Sequence, residues 1–233
     1  MHRAEVSIVI PAFNEEKSIA GVIEETIAVM NSIQIPYEII ISDDGSTDRT
    51  GQIASTYKVT VVHNDRNRGK GHAMRKAFKE ASGNIIVCLD ADGSHKPKEI
   101  SNLVSPLLHG YDIVPGSRFL GTDKNWTTRV NMLGNRMFNA TIFMLTGKLV
   151  TDSQTGFRAL KKEVLDSLNL ESDGYEVESE ITVKGLRNGF TFQEKPMSCQ
   201  GRRHNASKLH ILADGTRILK TIIRSSISKI EHT

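Results

Sequence analysis

An apolar run too short for a buried helix, Ile85-Ile86-Val87-Cys88-Leu89, stops at two aspartates separated by one residue, Asp90-Ala91-Asp92. A run of this kind is a buried strand, and it delivers two carboxylates to the loop at its C-terminal end. Carboxylates at that spacing suit a hard divalent cation, Mg2+ or Mn2+, which would in turn clamp a diphosphate. Read alone, Asp90–Gly93 is more often a polar turn closing a strand, because Asp and Gly are favoured turn residues. The surroundings have to decide.

The same arrangement recurs upstream. Val6-Ser7-Ile8-Val9-Ile10 is a strand stopped by Pro11-Ala12-Phe13-Asn14-Glu15-Glu16, after which Ile19, Val22, Ile23, Ile27 and Met30 recur at helical spacing. Asn14 or Ser18 is the expected helix cap. Tyr37–Ile41 is the next strand, ending in Ser42-Asp43-Asp44-Gly45-Ser46-Thr47-Asp48, with Asp48 expected to cap a helix over 49–56. A strand over 59–62 follows, and Asn67-Arg68-Gly69-Lys70-Gly71 opens a helix that runs to about Ser82. Strands alternating with helices at this interval imply a largely parallel sheet with covered faces, whose ligands bind beyond the strands' C-terminal ends. Pro11–Glu15, Asp43-Asp44 and Asp90–Asp92 all fall at that edge. The segment Gly69-Lys70-Gly71 lacks the G-x-x-x-x-G-K-[ST] spacing, and no G-x-G-x-x-G follows the first strand, which disfavours phosphate-loop and dinucleotide-binding proteins. Its glycines are expected to let backbone approach a ligand or a neighbouring strand, with a solvated side chain as the plain alternative for Lys70.

Downstream, a helix is expected over 98–109 and a strand over 112–115, ended by Gly116-Ser117-Arg118. Asn131 to Leu145 is an amphipathic helix rich in Met and Phe, its apolar face expected in the core rather than against lipid. The polar stretch Asp152–Arg158 precedes a strand or turn at Ala159-Leu160. A helix over 176–188 carries Glu176, Glu178 and Glu180, expected as a solvated face, with a sugar cradle as the alternative. An edge strand over 190–197 leads to the basic loop Arg202-Arg203-His204-Asn205-Ala206-Ser207-Lys208-Leu209. In the tail, Leu212, Leu219, Ile222, Ile223, Ile227 and Ile230 recur at helical spacing with basic residues between, so that helix either packs on the domain or lies at a membrane interface.

A chain of 233 residues fits one domain with a small appendage, here 1–210 and 211–233. The formal net charge of +3 is too small to announce a nucleic-acid partner, but the basic residues cluster at 66–79 and from Arg202 onward, where anionic ligands are expected. The two cysteines, Cys88 and Cys199, argue against a disulfide framework or a zinc site and for a reducing compartment. With no signal-peptide core and no window of about 18–20 apolar residues, a cytoplasmic location with peripheral membrane contact is expected.

Taken together, Val6–Glu15, Asp43–Asp48 and Asp90-Ala91-Asp92 resemble family 2 glycosyltransferases. Gly116-Ser117-Arg118, Asp152–Arg158, and Arg202 with Ser207-Lys208-Leu209 extend the likeness to the dolichyl-phosphate mannose synthase and polyprenyl-phosphate glucosyl branch. The resemblance implies an α/β fold of the GT-A (Rossmann-like) nucleotide-diphospho-sugar transferase kind, with a nucleotide-sugar half over 1–115, an acceptor half over 116–210 and a C-terminal amphipathic helix. It implies an inverting transfer of one hexose, from GDP-mannose for preference, to dolichyl or polyprenyl phosphate. UDP-glucose or UDP-N-acetylglucosamine remains an alternative donor. On this resemblance Pro11, Phe13, Glu15, Asp43 and Asp44 line the nucleotide site together with Asp90 and Asp92. Asp90, Asp92 and Ser94 hold Mg2+ or Mn2+, Asp92 being the surer ligand. Arg118, Arg129, Arg202, Ser207 and Lys208 take the acceptor phosphate, with Asp92, Arg118, Arg202 and Lys208 closest to the chemistry. Phe13 stands where Tyr is frequent, keeping the stacking ring, and Asn205 where Gly is common. An integral-membrane partner is possible on this likeness.

The chemistry is consistent with that list. A phosphate monoester is already an oxygen nucleophile near neutral pH and needs no strong general base, so orientation and charge stabilisation should suffice. Transfer to a sugar hydroxyl would instead want a carboxylate base, for which Asp152 is the nearest candidate. A nucleotide-sugar-binding regulatory subunit is the non-enzymatic alternative. Among the remaining groups, Arg129 could pair with a carboxylate instead, and His95 is expected as a turn residue rather than a metal neighbour.

Overall fold

The computed structural model describes residues 4–122, 128–199 and 211–227. Seven strands form one sheet in the order β3-β2-β1-β4-β6-β5-β7. β1 (Val6–Ala12), β2 (Tyr37–Asp43), β3 (Thr60–His63) and β4 (Ile85–Cys88) pair in parallel, joined by α1 (Ile19–Ile33), α2 (Thr50–Ala54) and α3 (Lys70–Glu80). β1 and β4 are buried almost throughout, which is why each reads as an unbroken apolar run. Leu89 leaves the ladder as a strand residue, yet its N–H still bonds the Val9 carbonyl oxygen at 3.0 Å.

The second half enters the same sheet. A short 3-10 turn at Pro97–Glu99 runs into α4 (Ile100–Leu108), which packs under β5 (Ile113–Ser117). After α5 (Arg129–Thr146) the chain returns as β6 (Arg158–Lys161), antiparallel to both β4 and β5. The strand-or-turn at Ala159-Leu160 is therefore a strand, and it places Asp152–Phe157 at the same sheet edge as Asp90 and Asp92. α6 (Lys162–Ser167), α7 (Val177–Arg187), the two-residue β7 (Lys195–Pro196) and α8 (Ile211–Ile227) complete the described chain. Of the edge strand expected over 190–197, only Lys195–Pro196 joins the ladder beside β5, with a lone bridge from Phe192 to Ile113.

Two helices revise the sequence reading. α5 is amphipathic, but only part of its apolar surface packs in the core as expected. Asn135 and Asn139 face the protein with Phe138 and Ile142, while Val130, Leu133, Met137, Phe143 and Met144 are exposed, Met144 to 75%. The inward polar side chains have partners 12 to 17 residues on, as Asn135 Nδ2 bonds Asp152 (2.8 Å) and Asn139 Nδ2 bonds the Thr151 carbonyl (2.6 Å). α8 takes the packed alternative: Ile218 and Ile222 join Phe138, Ile142, Val150 and Val183 in a third, smaller core. Both cysteines are buried and free.

Candidate functional site

The loops after β1 and β2 are stitched to each other. Asn14 N donates to Ser46 Oγ at 2.9 Å, Asn14 Oδ1 accepts Thr47 N at 2.8 Å, and Glu15 N donates to Thr50 Oγ1 at 2.7 Å. Asn14 can do this because it adopts φ +54°, a left-handed conformation that Asn tolerates. It therefore joins loops instead of capping α1. Ser18 occupies the cap position, but its hydroxyl turns back to the Glu15 carbonyl and carboxylate. Asp48 stands one residue before the cap position, Arg49, yet its carboxylate takes Thr50 N at 2.9 Å at the start of α2, and Glu16 N at 3.2 Å. Pro11 and Phe13 are half-buried on this surface and Glu15 is buried.

Asp43 and Asp44 sit beneath the turn that follows β2. Asp43 accepts Ser46 N at 2.9 Å and faces His63 Nδ1 at 2.9 Å. Asp44 accepts Asn64 Nδ2 (2.8 Å), Arg68 N (3.0 Å) and Gly69 N (2.8 Å), fixing the segment that leads into α3. It does not cap the helix after its own turn. Gly69 and Gly71 allow close backbone approach as expected, but to the loop at 172–174. A Cβ on Gly71 would collide with the Ser172 carbonyl oxygen, and one on Gly69 with that of Asp173.

Lys70 is not solvated. Its ammonium lies 2.6 Å from Asp90 Oδ1 and 2.6 Å from Glu178 Oε1. Burial alone would lower its pKa, but the two carboxylates outweigh burial and hold it above the usual lysine range. Gly156 closes this pocket, since an added Cβ would stand 2.6–2.8 Å from the Asp90 carboxylate and Lys70 Nζ. Glu178 and Glu180 are buried, against the expectation of a solvated face. Glu180 pairs with Lys184 at 2.7 Å and accepts Ser172 N at 2.9 Å. Asp92 is buried beside Asp90 and accepts Ser94 N at 2.9 Å, so Ser94 holds Asp92 through its backbone. His95 is more than a turn residue. Its ring is buried and stacked on Phe157 (centroids 5.3 Å apart), and its Nδ1 faces Asp90 Oδ2 at 3.6 Å. Burial pulls its pKa down, which favours the neutral ring.

Arg118 and Asp152 form the other half of the site. Arg118 Nε meets Asp152 Oδ2 at 2.6 Å and its NH2 meets Oδ1 at 2.8 Å, a fork-to-fork pair with Asp152 fully buried. Glu194 braces it by accepting Thr151 N and Asp152 N, each at 2.9 Å. Burial pushes the Asp152 carboxyl up, but Arg118 and the hydrogen bonds from Arg118 and Asn135 more than reverse this and hold it below the usual range. Asp152 is thereby a poor general base. Arg158 is completely buried and donates to the carbonyl oxygens of Thr155 and Glu178 and to Thr182 Oγ1, fixing the 152–157 loop. Arg129 opens α5 and is exposed, while Arg202, Ser207 and Lys208 lie outside the described residues.

Sequence reasoning put Glu178 on a solvated face or in a sugar cradle, and missed Lys70 as an ion-paired group and Asn135 as a partner of Asp152. One signal was available: Val177 and Ile181, one residue before Glu178 and three after it, lie on the face that turns inward.

The donors fit a hard cation. Asp90 and Asp92 offer oxygen only, the donor that a hard cation such as Mg2+ or Mn2+ takes. Among the described residues there is no group of three or more His, Cys, Asp and Glu placed to hold a metal ion.

The sequence profile described as Glycosyl transferase family 2 matches residues 7–168. An uncharacterized protein of Methanocaldococcus jannaschii is 35% identical over 237 residues, covering 97% of this chain and 94% of its own. A dolichol-phosphate mannosyltransferase of Pyrococcus furiosus is 32% identical over 88% of this chain, which spans 59% of that relative's length. A polyprenol monophosphomannose synthase of Mycolicibacterium smegmatis is 30% identical, with 87% of this chain and 80% of that one covered. Among solved structures, glucosyl-3-phosphoglycerate synthase of Mycobacterium tuberculosis with Mn2+, UDP-glucose and phosphoglyceric acid superposes at TM-score 0.78 and 27% identity, covering 96% and 80%.

Proposed function

Since the chain belongs to glycosyl transferase family 2 and has the GT-A fold, we propose that it transfers one hexose from a nucleotide sugar to a polyprenyl or dolichyl phosphate, with GDP-mannose as donor. One observation carries the reading. Asp90 and Asp92 share a sheet edge with the interlocked 11–16 and 43–50 loops, and Arg118, aligned by Asp152, lies within electrostatic reach of Asp90.

The donor half, 1–115, presents Pro11, Phe13, Glu15 and Asp43 to the nucleotide, and Asp44 acts by holding the 64–69 segment. Asp90 and Asp92, with Ser94 fixing Asp92, would hold Mg2+ or Mn2+. When bound, such a cation neutralises charge on the departing nucleoside diphosphate. Arg118 orients the incoming phosphate and offsets repulsion between two anions, and Arg129, Arg202, Ser207 and Lys208 serve the same phosphate from the acceptor half. Attack opposite the leaving group inverts the anomeric centre, giving a β-linked product from an α-linked donor. Asp152, locked to Arg118, argues against transfer to a sugar hydroxyl, which would need that carboxylate as base. UDP-glucose, bound by the mycobacterial neighbour, stays in view as an alternative donor.

A lipid acceptor also gives α5 a purpose. Among the described residues no helix is long and apolar enough to cross a membrane. The outward stripe Val130, Leu133, Met137 and Met144, with Arg129, Arg136 and Lys148 also exposed, supports peripheral contact with an anionic membrane surface. Incubating the protein with dolichyl phosphate and labelled GDP-mannose, UDP-glucose or UDP-N-acetylglucosamine tests the reading. Organic-phase label from GDP-mannose, abolished by EDTA, is expected. Label found only on water-soluble sugars would sink the lipid-phosphate acceptor.

A further inference from the structure

Glu178 is buried at 2% exposure, and neither carboxylate oxygen has a hydrogen-bond partner in normal geometry; its close contact is the Lys70 ammonium at 2.6 Å. The same ammonium lies 2.6 Å from Asp90, one of the two carboxylates assigned to the cation. Lys70 and a divalent cation therefore compete for one carboxylate. If Lys70 faced Asp90 alone, it would neutralise that ligand. A second buried carboxylate, 2.6 Å from the same ammonium, changes the balance.

We infer that Glu178 is a positioning residue for the metal site: it receives Lys70 and leaves Asp90 available to a divalent cation. The inference rests on the metal-assisted reading given above. Charge supports it: neutralising Glu178 removes one negative charge beside Lys70 and leaves the ammonium to Asp90, which weakens the pull of that carboxylate on a cation. Gly156 is part of the arrangement, because an added Cβ there would stand 2.6–2.8 Å from the Asp90 carboxylate and Lys70 Nζ.

The test is Mn2+ binding without turnover, followed by electron paramagnetic resonance on the full chain, with Mn2+ alone and with Mn2+ plus GDP. Glu178→Gln should weaken Mn2+ binding about tenfold or more, since one unit charge at this range is lost from a partly desolvated site. The double variant Lys70→Met with Glu178→Gln restores the net charge and should recover most of that affinity. Thermal melts of both variants separate binding from unfolding, and the double variant leaves no uncompensated buried charge between these two positions. Equal Mn2+ affinity in the wild type and Glu178→Gln, with binding still abolished by Asp92→Asn, would overturn the role of Glu178 while the proposed function stands. No rescue in a folded double variant would equally overturn it. Wild-type protein that binds no Mn2+ even with GDP would remove this inference and the metal-assisted reading together.

Discussion

Arg118 and Asp152 are held together by two parallel hydrogen bonds of 2.6 and 2.8 Å, with Asp152 wholly inaccessible to solvent. The pair presents a pre-aligned guanidinium at the sheet edge and fixes Asp152 as a support for Arg118. Arg118→Lys keeps the charge but loses the planar fork, so turnover should fall steeply while the fold survives. Arg118→Met strands a buried carboxylate and should cost about 3–5 kcal/mol of stability by denaturant unfolding. Wild-type turnover in Arg118→Lys would show that orientation by the fork is dispensable.

The same pair fixes a pH dependence. The folded-state pKa of Asp152 is depressed, so its contribution to stability is fully present above the unfolded value of about 3.9 and is lost as pH falls through the lower folded value. Glu194, raised by burial against its backbone hydrogen bonds, works in the opposite sense. Thermal melts from pH 7 down to pH 2 should show a loss of stability in the wild type that is smaller in the Asp152→Asn variant.

Asp92→Ala should abolish sugar transfer in a protein that remains folded, as a thermal melt alongside the assay would show. Losing one such electrostatic contact typically adds about 3–4 kcal/mol to the barrier. Near-normal turnover would refute the metal assignment.

Membrane contact is expected through α5. Leu133→Glu with Met144→Glu alters two exposed positions, so the fold should persist while flotation with anionic liposomes is lost. Deleting α8 is a poor probe, since Ile218 and Ile222 belong to a core and their loss would unfold α5 and α7 contacts. Unchanged flotation by the double Glu variant would rule α5 out as the contact.

Gly71→Ala offers a sign test. Ala is favoured over Gly in helices by about 1 kcal/mol, yet the new Cβ would meet the Ser172 carbonyl oxygen. The collision is with backbone, so a net destabilisation of about 1–3 kcal/mol is expected in urea melts.

The donor edge was legible because its chemistry is local: short apolar runs end in Asp43-Asp44 and Asp90–Asp92, and a parallel sheet brings all such ends to one side. What escaped the sequence reading depends on long-range partners. Lys70 reads as a solvated lysine until Glu178, on a helix more than a hundred residues later, is brought beside it. α5 has a composition that fits either orientation. Its inward face is decided by Asp152 and Thr151, which satisfy Asn135 and Asn139, and so the Met and Leu stripe is left outside. Asn14 resembled a cap because no pattern within its own loop reveals Ser46 and Thr47.

The antiparallel return of β6 carries one more consequence. Gly116 N bonds the Phe157 carbonyl at 2.9 Å, so the chain leaves the sheet after β5 and re-enters it at β6 through adjacent residues. The intervening 118–156 excursion begins and ends at the same gate. An excursion whose two ends already touch can be lengthened, shortened or swapped without altering any strand order. It contains Arg118, Arg129, Asp152 and α5, while Arg202, Ser207 and Lys208, assigned to the same phosphate, lie outside it. Selection could thus alter part of what receives the sugar within this one excursion, while the donor strands β1, β2 and β4 keep their order.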